Sequence, residues 1–246
     1  MKTPLHKLFI LEVAIVVVVI ITLIFSKKVM ANNHQPTEVQ IKLGLKSLNG
    51  QSQITNITPA KVWEVPISLL VKKAKLSFEV EFKQVTLKSK YMIKQGMGDT
   101  LLSLGYQIDE QFEISLKEKV SATSSNKYLT TGKNETSLQI NYNSLMIKAN
   151  NRLFATMGYT FTDKSSKFNL QNQAYASLGT KYLLKSKTQI GISLDYKENI
   201  FTHLDDQMGL TAYIDQPINS IYNLSAFAGY DITQTSTIGV TLSGKF

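Results

Sequence analysis

The sequence predicts an all-β fold: a transmembrane antiparallel up-and-down β-barrel of about twelve strands, preceded by a cleavable leader. Three observations predict it. Apolar residues alternate with polar or small ones through nearly the whole chain after residue 31. Glycines gather on the polar parity, and aromatic residues gather at the strand ends on the apolar parity.

Residues 1–31 have the plan of a Sec-type signal peptide. Lys2, His6 and Lys7 form a basic start, Val13 to Phe25 an apolar run, and Val29-Met30-Ala31 a small-residue cleavage site before Asn32. An uncleaved anchor over Leu8–Phe25 is the competing reading, which Glu12 interrupts. The expected organisation is a leader at 1–31 and a barrel at 32–246. The chain has 27 Lys+Arg, 18 Asp+Glu and no cysteine, which excludes disulfides, thiolate metal sites and cysteine nucleophiles. No second apolar run is long enough for a spanning helix, so a polytopic helical protein is excluded.

The alternation predicts strands at 38–46, 61–72, 74–83, 99–108, 111–121, 136–148, 151–162, 170–184, 187–198, 206–216, 219–230 and 235–246. In the second, Trp63, Val65, Ile67 and Leu69 share one face; in the third, Leu76, Phe78, Val80 and Phe82 oppose Ser77, Glu79 and Glu81. A parity slip between Tyr142 and Leu145 predicts a bulge near Asn143-Ser144. Short turns at Lys73, Asp109-Glu110, Ala149-Asn150, Lys185-Ser186 and Gln216-Pro217 alternate with longer connections at 47–60, 84–98, 122–135, 163–169, 199–205 and 231–234. Short turns at one end and long loops at the other are the pattern of a bacterial outer-membrane barrel.

A soluble β-sandwich also alternates, but its polar face meets water and carries few glycines. Here Gly44, Gly105, Gly158, Gly179, Gly191, Gly209, Gly229 and Gly239 all fall on the polar parity, as a crowded concave wall requires. Trp63, Phe82, Tyr159, Phe161, Tyr196 and Tyr230 mark one interface; Tyr106, Phe112, Tyr182, Tyr222 and Phe246 mark the other.

The inward face carries the chemistry. Glu64, Glu79, Glu81, Glu113, Asp195 and Asp215 stand against a larger set of bases that includes Lys42, Lys46, Lys75, Lys83, Lys117, Lys119, Arg152, Lys181, Lys187 and Lys197. This predicts a positive lean, with Lys117, Lys119 and Lys197 setting the field of a narrow passage for anionic or polar solutes. The opposing expectation is a closed structural barrel, in which Glu79 and Glu81 pair with these lysines across the lumen and inward Phe154, Tyr175, Tyr213 and Phe227 narrow it. Basic charge inside a lumen or at its rims is not a nucleic-acid face, so nucleic acid is not an expected partner.

The run Gly96-Met97-Gly98-Asp99-Thr100-Leu101-Leu102-Ser103-Leu104-Gly105-Tyr106 resembles the G-x-G-D-x-x-L-x-x-x-Y stretch of a bacterial outer-membrane transporter-like family named for the MetA pathway of phenol degradation. Trp63-Glu64-Val65-Pro66, Thr130 to Glu135 and Met157-Gly158-Tyr159 are similar to further stretches of that family. The resemblance covers about residues 60–246 and implies passage of small solutes, hydrophobic ones among them, across the outer membrane. By their own chemistry, Gly96 and Gly98 suit a sharp return from loop to strand, and Asp99 suits bonds to neighbouring backbone N–H groups. Phe246, preceded by Leu242 and Val240, resembles the terminal signal read by the barrel-assembly machinery, which with outer-membrane lipids completes the expected partners.

The alternative function is a lipid-modifying enzyme using His203 oriented by Asp205 or Asp206, although no serine stands at a telling spacing. Glu198, Asp205 and Asp206 fall short of a full oxygen-ligand set for calcium. The expected protein is therefore a channel and not an enzyme, with no cofactor and no metal.

Overall fold

The structure, a computed structural model, describes residues 36–50, 60–90, 92–121, 129–130, 132–144, 150–164 and 169–246. The leader predicted at 1–31 lies outside them. Thirteen β-segments follow in chain order: β1 (Thr37–Gly50), β2 (Ala60–Lys73), β3 (Leu76–Lys88), β4 (Ile93–Met97), β5 (Thr100–Gln107), β6 (Phe112–Val120), β7 (Glu135–Asn143), β8 (Asn151–Thr162), β9 (Gln173–Leu183), β10 (Gln189–Lys197), β11 (Gln207–Pro217), β12 (Tyr222–Asp231) and β13 (Ser236–Lys245). They form one sheet in which segments pair with their sequence neighbours, except that β4 and β5 both pair with β3, and β1 pairs antiparallel with β13 to close the ring.

β4 and β5 are two halves of one strand, so the thirteen segments make twelve staves. Both pair with β3: Gln84↔Met97 for the upper half and Glu81↔Leu101 for the lower. Between those pairs Phe82 and Lys83 face three residues, Gly98 to Thr100, and the extra residue is a β-bulge. This corrects two expectations. Residues 84–98 are not a long loop, because 84–88 and 93–97 extend the β3 hairpin. Gly96 and Gly98 do not sit at a loop-to-strand return: Gly96 is paired with Val85, and Gly98 donates its N–H to the Lys83 carbonyl at 2.9 Å. A Cβ on Gly98 would lie 2.6 Å from Val85 Cγ2, so the bulge needs glycine for space.

The turns at one end are short because local chemistry closes them. Asp109 Oδ1 accepts from the N–H groups of Gln111 and Phe112, both at 2.8 Å. Asn219 Oδ1 accepts from Ile221 and Tyr222 in the same way, which shifts the turn predicted at Gln216-Pro217 to 218–221. Ala74 (φ 54°) opens the tight turn between β2 and β3. The bulge predicted near Asn143-Ser144 meets the end of β7; Ser144 N–H bonds the Leu153 carbonyl at 2.8 Å, and 145–149 lie outside the described residues.

The faces are as the alternation requires. Ile41, Leu43, Leu45, Ile67, Leu178, Leu210 and Ile238 are exposed on the outer wall, where a hydrocarbon band covers them. Trp63, Tyr159, Phe161 and Tyr230 are exposed toward the loop end; Tyr106, Phe112, Tyr182, Tyr222 and Phe246 toward the turn end. Tyr142, packed 5.0 Å from Phe112, joins the turn-end girdle. Phe246 exchanges backbone hydrogen bonds with Val39, sealing the first strand to the last residue.

The inward aromatics expected to narrow the lumen lie over glycines, and Phe154 of β8 meets Tyr213 of β11 edge to face at 6.0 Å between centroids. Each lies against a glycine directly opposite on the next strand: Tyr175 on Gly158, Phe154 on Gly179, Tyr213 on Gly191 and Phe227 on Gly239. A Cβ at Gly158, Gly179 or Gly191 would come within 2.4 Å of the ring that covers it. The glycines on the polar parity are sockets for rings laid along the wall. Replacing Gly191 with valine is expected to lift the Tyr213 ring into the lumen and to cost about 1–3 kcal/mol by overpacking. The check is a lowered unfolding temperature of the detergent-solubilised barrel together with reduced single-channel conductance.

Candidate functional site

The alternation that lays leucines outside places ionisable side chains inside, and β1 to β7 hold most of them. Near the loop end, Lys46, Glu64, Lys83, Asp99, Lys119, Glu135 and Lys197 surround a cavity of about 370 Å³. Its apolar boundary includes Leu48, Val62 and Ile200. Beside it an inward cluster of Ala60, Val62, Val85, Leu87 and Leu129 is fully buried. The four on β2 and β3 hold the polar parity of their strands yet are apolar, and with Leu129 they form a greasy cap at the loop end.

Most charges in the cavity are paired along the wall. Glu64 lies 3.4 Å from Lys46 and 3.1 Å from Lys83, one on each neighbouring strand. Lys119 bridges Asp99 at 3.5 Å and Glu135. The Thr130 hydroxyl also donates to Asp99, so side chains from a loop and from β6 both reach the bulge residue. Two stretches that carried the family resemblance, Gly96–Tyr106 and Thr130–Glu135, thus meet through Asp99, Thr130 and Lys119. Lys197 faces the same cavity, and among the described residues no carboxylate lies within ion-pair distance of it.

Toward the turn end, Glu79 accepts from Lys42 at 2.7 Å and from Ser68 at 2.9 Å, tying β1 to β3 across β2. Lys117 donates to Gln139 Oε1 at 2.7 Å, which also accepts from the Tyr175 hydroxyl at 2.9 Å. Gln139 continues to Asn141, and Asn141 donates to Glu113 at 3.1 Å. Asp195 accepts from Ser177 at 2.6 Å and Ser193 at 3.1 Å. Neither Glu79 nor Glu81 forms an ion pair with Lys117, Lys119 or Lys197; the bonds run from stave to stave.

The positive lean is smaller than the sequence indicated. Asp99 and Glu135 also face inward, whereas Lys75 and Lys187 sit in turns, Lys75 donating to the Ile108 carbonyl at 2.8 Å and Lys187 at φ 65°. Among the described residues the inward bases outside ion pairs include Lys117, Lys197 and, near the turn end, Arg152 directly opposite Lys181, with Lys181 Nζ 4.9 Å from the Phe154 ring centroid; the inward acids Glu81, Glu113, Asp195 and Asp215 are outside ion pairs as well. The lumen is therefore two-sided. Charges and amides predominate on β1 to β7; ring faces, glycines and small hydroxyl residues predominate on β8 to β13, where the inward charges include Arg152, Lys181, Asp195, Lys197 and Asp215.

Sequence reasoning missed Asn199, which is fully buried in the loop after β10. Its N–H donates to Asp206 Oδ1 at 2.9 Å, its Oδ1 accepts from Phe201 N–H at 3.0 Å, and its carbonyl accepts from Gln171 Nε2 at 2.9 Å. Phe201 bridges Leu170, so two loops are tied together and Ile200 is turned onto the cavity. The available signal was an Asn two residues before an aromatic in a loop, the spacing of an Asx turn. Asp206 also accepts from the Tyr196 hydroxyl at 3.0 Å, and Glu198 accepts from Ala174 N–H at 2.6 Å, so both have structural partners. His203 is exposed and packs 5.9 Å from Phe201. Among the described residues no group of three or more His, Asp or Glu side chains is placed to hold a metal ion.

No family model matches the chain, and no curated protein matches it. The resemblance to the family named for phenol degradation gains no support from that comparison. Solved structures do match. The chain is similar to the KdgM porin in complex with disordered oligogalacturonate, at a TM-score of 0.55 and 12% identity, over 84% of this chain and 99% of that one. It is also similar to the translocator domain of the autotransporter NalP from Neisseria meningitidis, at 0.52 and 8%, over 98% of each chain. At these identities the likeness is one of barrel fold.

Removing the acid shared by two lysines should be costly. Glu64→Gln leaves Lys46 and Lys83 without their carboxylate and is expected to destabilise the barrel by about 1–3 kcal/mol, below a fully buried pair because both lysines keep some solvent. The readout is the temperature at which the folded, fast-migrating electrophoretic band is lost.

Proposed function

We propose that this protein is a bacterial outer-membrane channel that passes small solutes by diffusion through its two-sided lumen, with a mild preference for anions. The observation that carries the proposal is the pairing of inward charges along the wall and the seating of inward rings on glycines, which together line the interior. The KdgM likeness supports a barrel of this size acting as a porin, since that neighbour is itself named as one. Lys197 and the Arg152–Lys181 pair supply the anion preference. Kinship with the phenol-degradation family rests on the Gly96–Tyr106 and Thr130–Glu135 stretches, and a solute with an apolar ring would suit the faces of Phe154 and Tyr213. The reading makes the protein a non-enzyme with the loops outside the cell, the termini in the periplasm and assembly signalled by Phe246.

A closed structural barrel is the second reading, favoured by the buried cluster of Val62, Val85, Leu87 and Leu129 at the loop end. Planar-bilayer recording separates the two: a channel gives discrete steps, a closed barrel none. In a salt gradient, Lys197→Glu is expected to lower the chloride-to-potassium permeability ratio about two- to threefold, and Lys117→Glu to shift it in the same direction. Unchanged reversal potentials in both variants would remove the assigned role of these lysines. Phospholipid hydrolysis that disappears in His203→Ala would replace the channel reading with the enzyme.

A further inference from the structure

On the outer wall near the loop end, Lys61 and Lys88 stand directly opposite each other on β2 and β3. Both are exposed, on the parity that carries Trp63 and Ile67 outward. Like charges in direct cross-strand register repel, and a fold keeps them at a cost unless something of opposite sign sits between them. Among the described residues neither lysine has a carboxylate within ion-pair distance. The nearby connection 51–59 contains no Asp or Glu in its sequence. Gln84, Thr86 and Gln95, also outward, mark where the wall leaves hydrocarbon, so the lysine pair stands at headgroup level.

From Trp63, two residues along β2 from Lys61, a hollow runs sideways across β1 and β13 to β12 and β11. Lys61 Nζ is 5.1 Å from the Trp63 ring centroid, and Trp63 forms one wall of an apolar groove of about 560 Å³ on the lipid-facing side. Leu45, Ile238 and Val240 supply further wall, while Ala212, Ala226 and Ala228 give a shallow floor where neighbouring strands carry leucine or isoleucine. Ala212 and Ala228 are direct cross-strand partners, and Ala226 pairs with Ile214, so the depression comes from small residues placed side by side.

We infer that this is a binding site for a phosphate-bearing membrane lipid, with its acyl chain in the alanine-floored groove and its phosphate bridging Lys61 and Lys88. The groove lies where bilayer lipid surrounds the barrel, and the positive pair at its headgroup end selects for an anionic lipid over a neutral or zwitterionic one. Trp63 joins the two halves: its ring packs on the chain and its face steadies the Lys61 ammonium. The site stands on the barrel fold alone and is independent of whether the lumen conducts.

The test is native mass spectrometry of the full chain released from detergent micelles doped with phosphatidylglycerol or phosphatidylcholine. A bound phosphatidylglycerol is expected to survive where phosphatidylcholine is lost. Its retention should fall about tenfold in the double variant Lys61→Gln/Lys88→Gln. It should also fall in Ala228→Phe, which fills the groove and leaves both lysines in place. Inorganic phosphate at millimolar concentration should leave the lipid adduct intact. Equal retention of the two lipids, or retention untouched by both variants in barrels that still migrate as folded, overturns the assignment. Displacement by inorganic phosphate alone also overturns it, by reducing the site to a surface anion contact.

Discussion

A chain that crosses hydrocarbon by strands must find a partner for every backbone N–H and C=O within itself, and that requirement governs the rest of this structure. It is met by the pairing of β1 with β13, whose register runs from Gln40↔Lys245 to Asn49↔Ser236. With the ring closed, no strand edge is left to lipid, and a chain without cysteine needs no covalent staple. Closure also makes one face convex and the other concave. The convex face can be uniformly apolar; the concave face crowds its side chains, and every feature of the lumen answers that crowding.

Two answers recur. On β8 to β13, large rings are seated on glycines of the adjacent strand, so that aromatic bulk is spent along the wall. On β1 to β7, charged groups are joined to their nearest neighbours, as with Glu64 between Lys46 and Lys83 or Lys119 between Asp99 and Glu135. Both depend on strand register, since a slip of one residue would put lysines in lipid. The bulge at Gly98-Asp99 is the place where register shifts by one between β3 and the β4–β5 stave, and it turns a carboxylate to Lys119.

The loop end is built differently. There Val62, Val85 and Leu87 keep the inward parity but bury one another with Leu129, forming a small apolar core inside a polar lumen. The buried Asn199 fixes the neighbouring loop and directs Ile200 onto the same cavity. An apolar cluster thus borders the charged cavity at the loop end.

Much of this was legible from residue order alone. Side chains on a strand alternate strictly, so the leucines of β1 and β10, the inward Glu79 and Asp195, and the glycine-rich concave face follow from parity without knowledge of neighbours. Turn chemistry was legible for the same reason: Asp109 acts on residues two and three positions away. What stayed hidden depends on contacts distant along the chain. Residues 84–98 read as a loop because their hairpin mixes polar outward residues with apolar inward ones, and the pairing of Val85 with Gly96 supplies what the pattern lacks. That Lys119 belongs to Asp99 and Glu135 rather than to Glu79 or Glu81, that rings lie on glycines, and that three alanines share one outer hollow are decided by register and curvature. Sequence sets which face each residue takes; closure of the sheet decides which residues meet on that face, because only in three dimensions do staves far apart in order become neighbours.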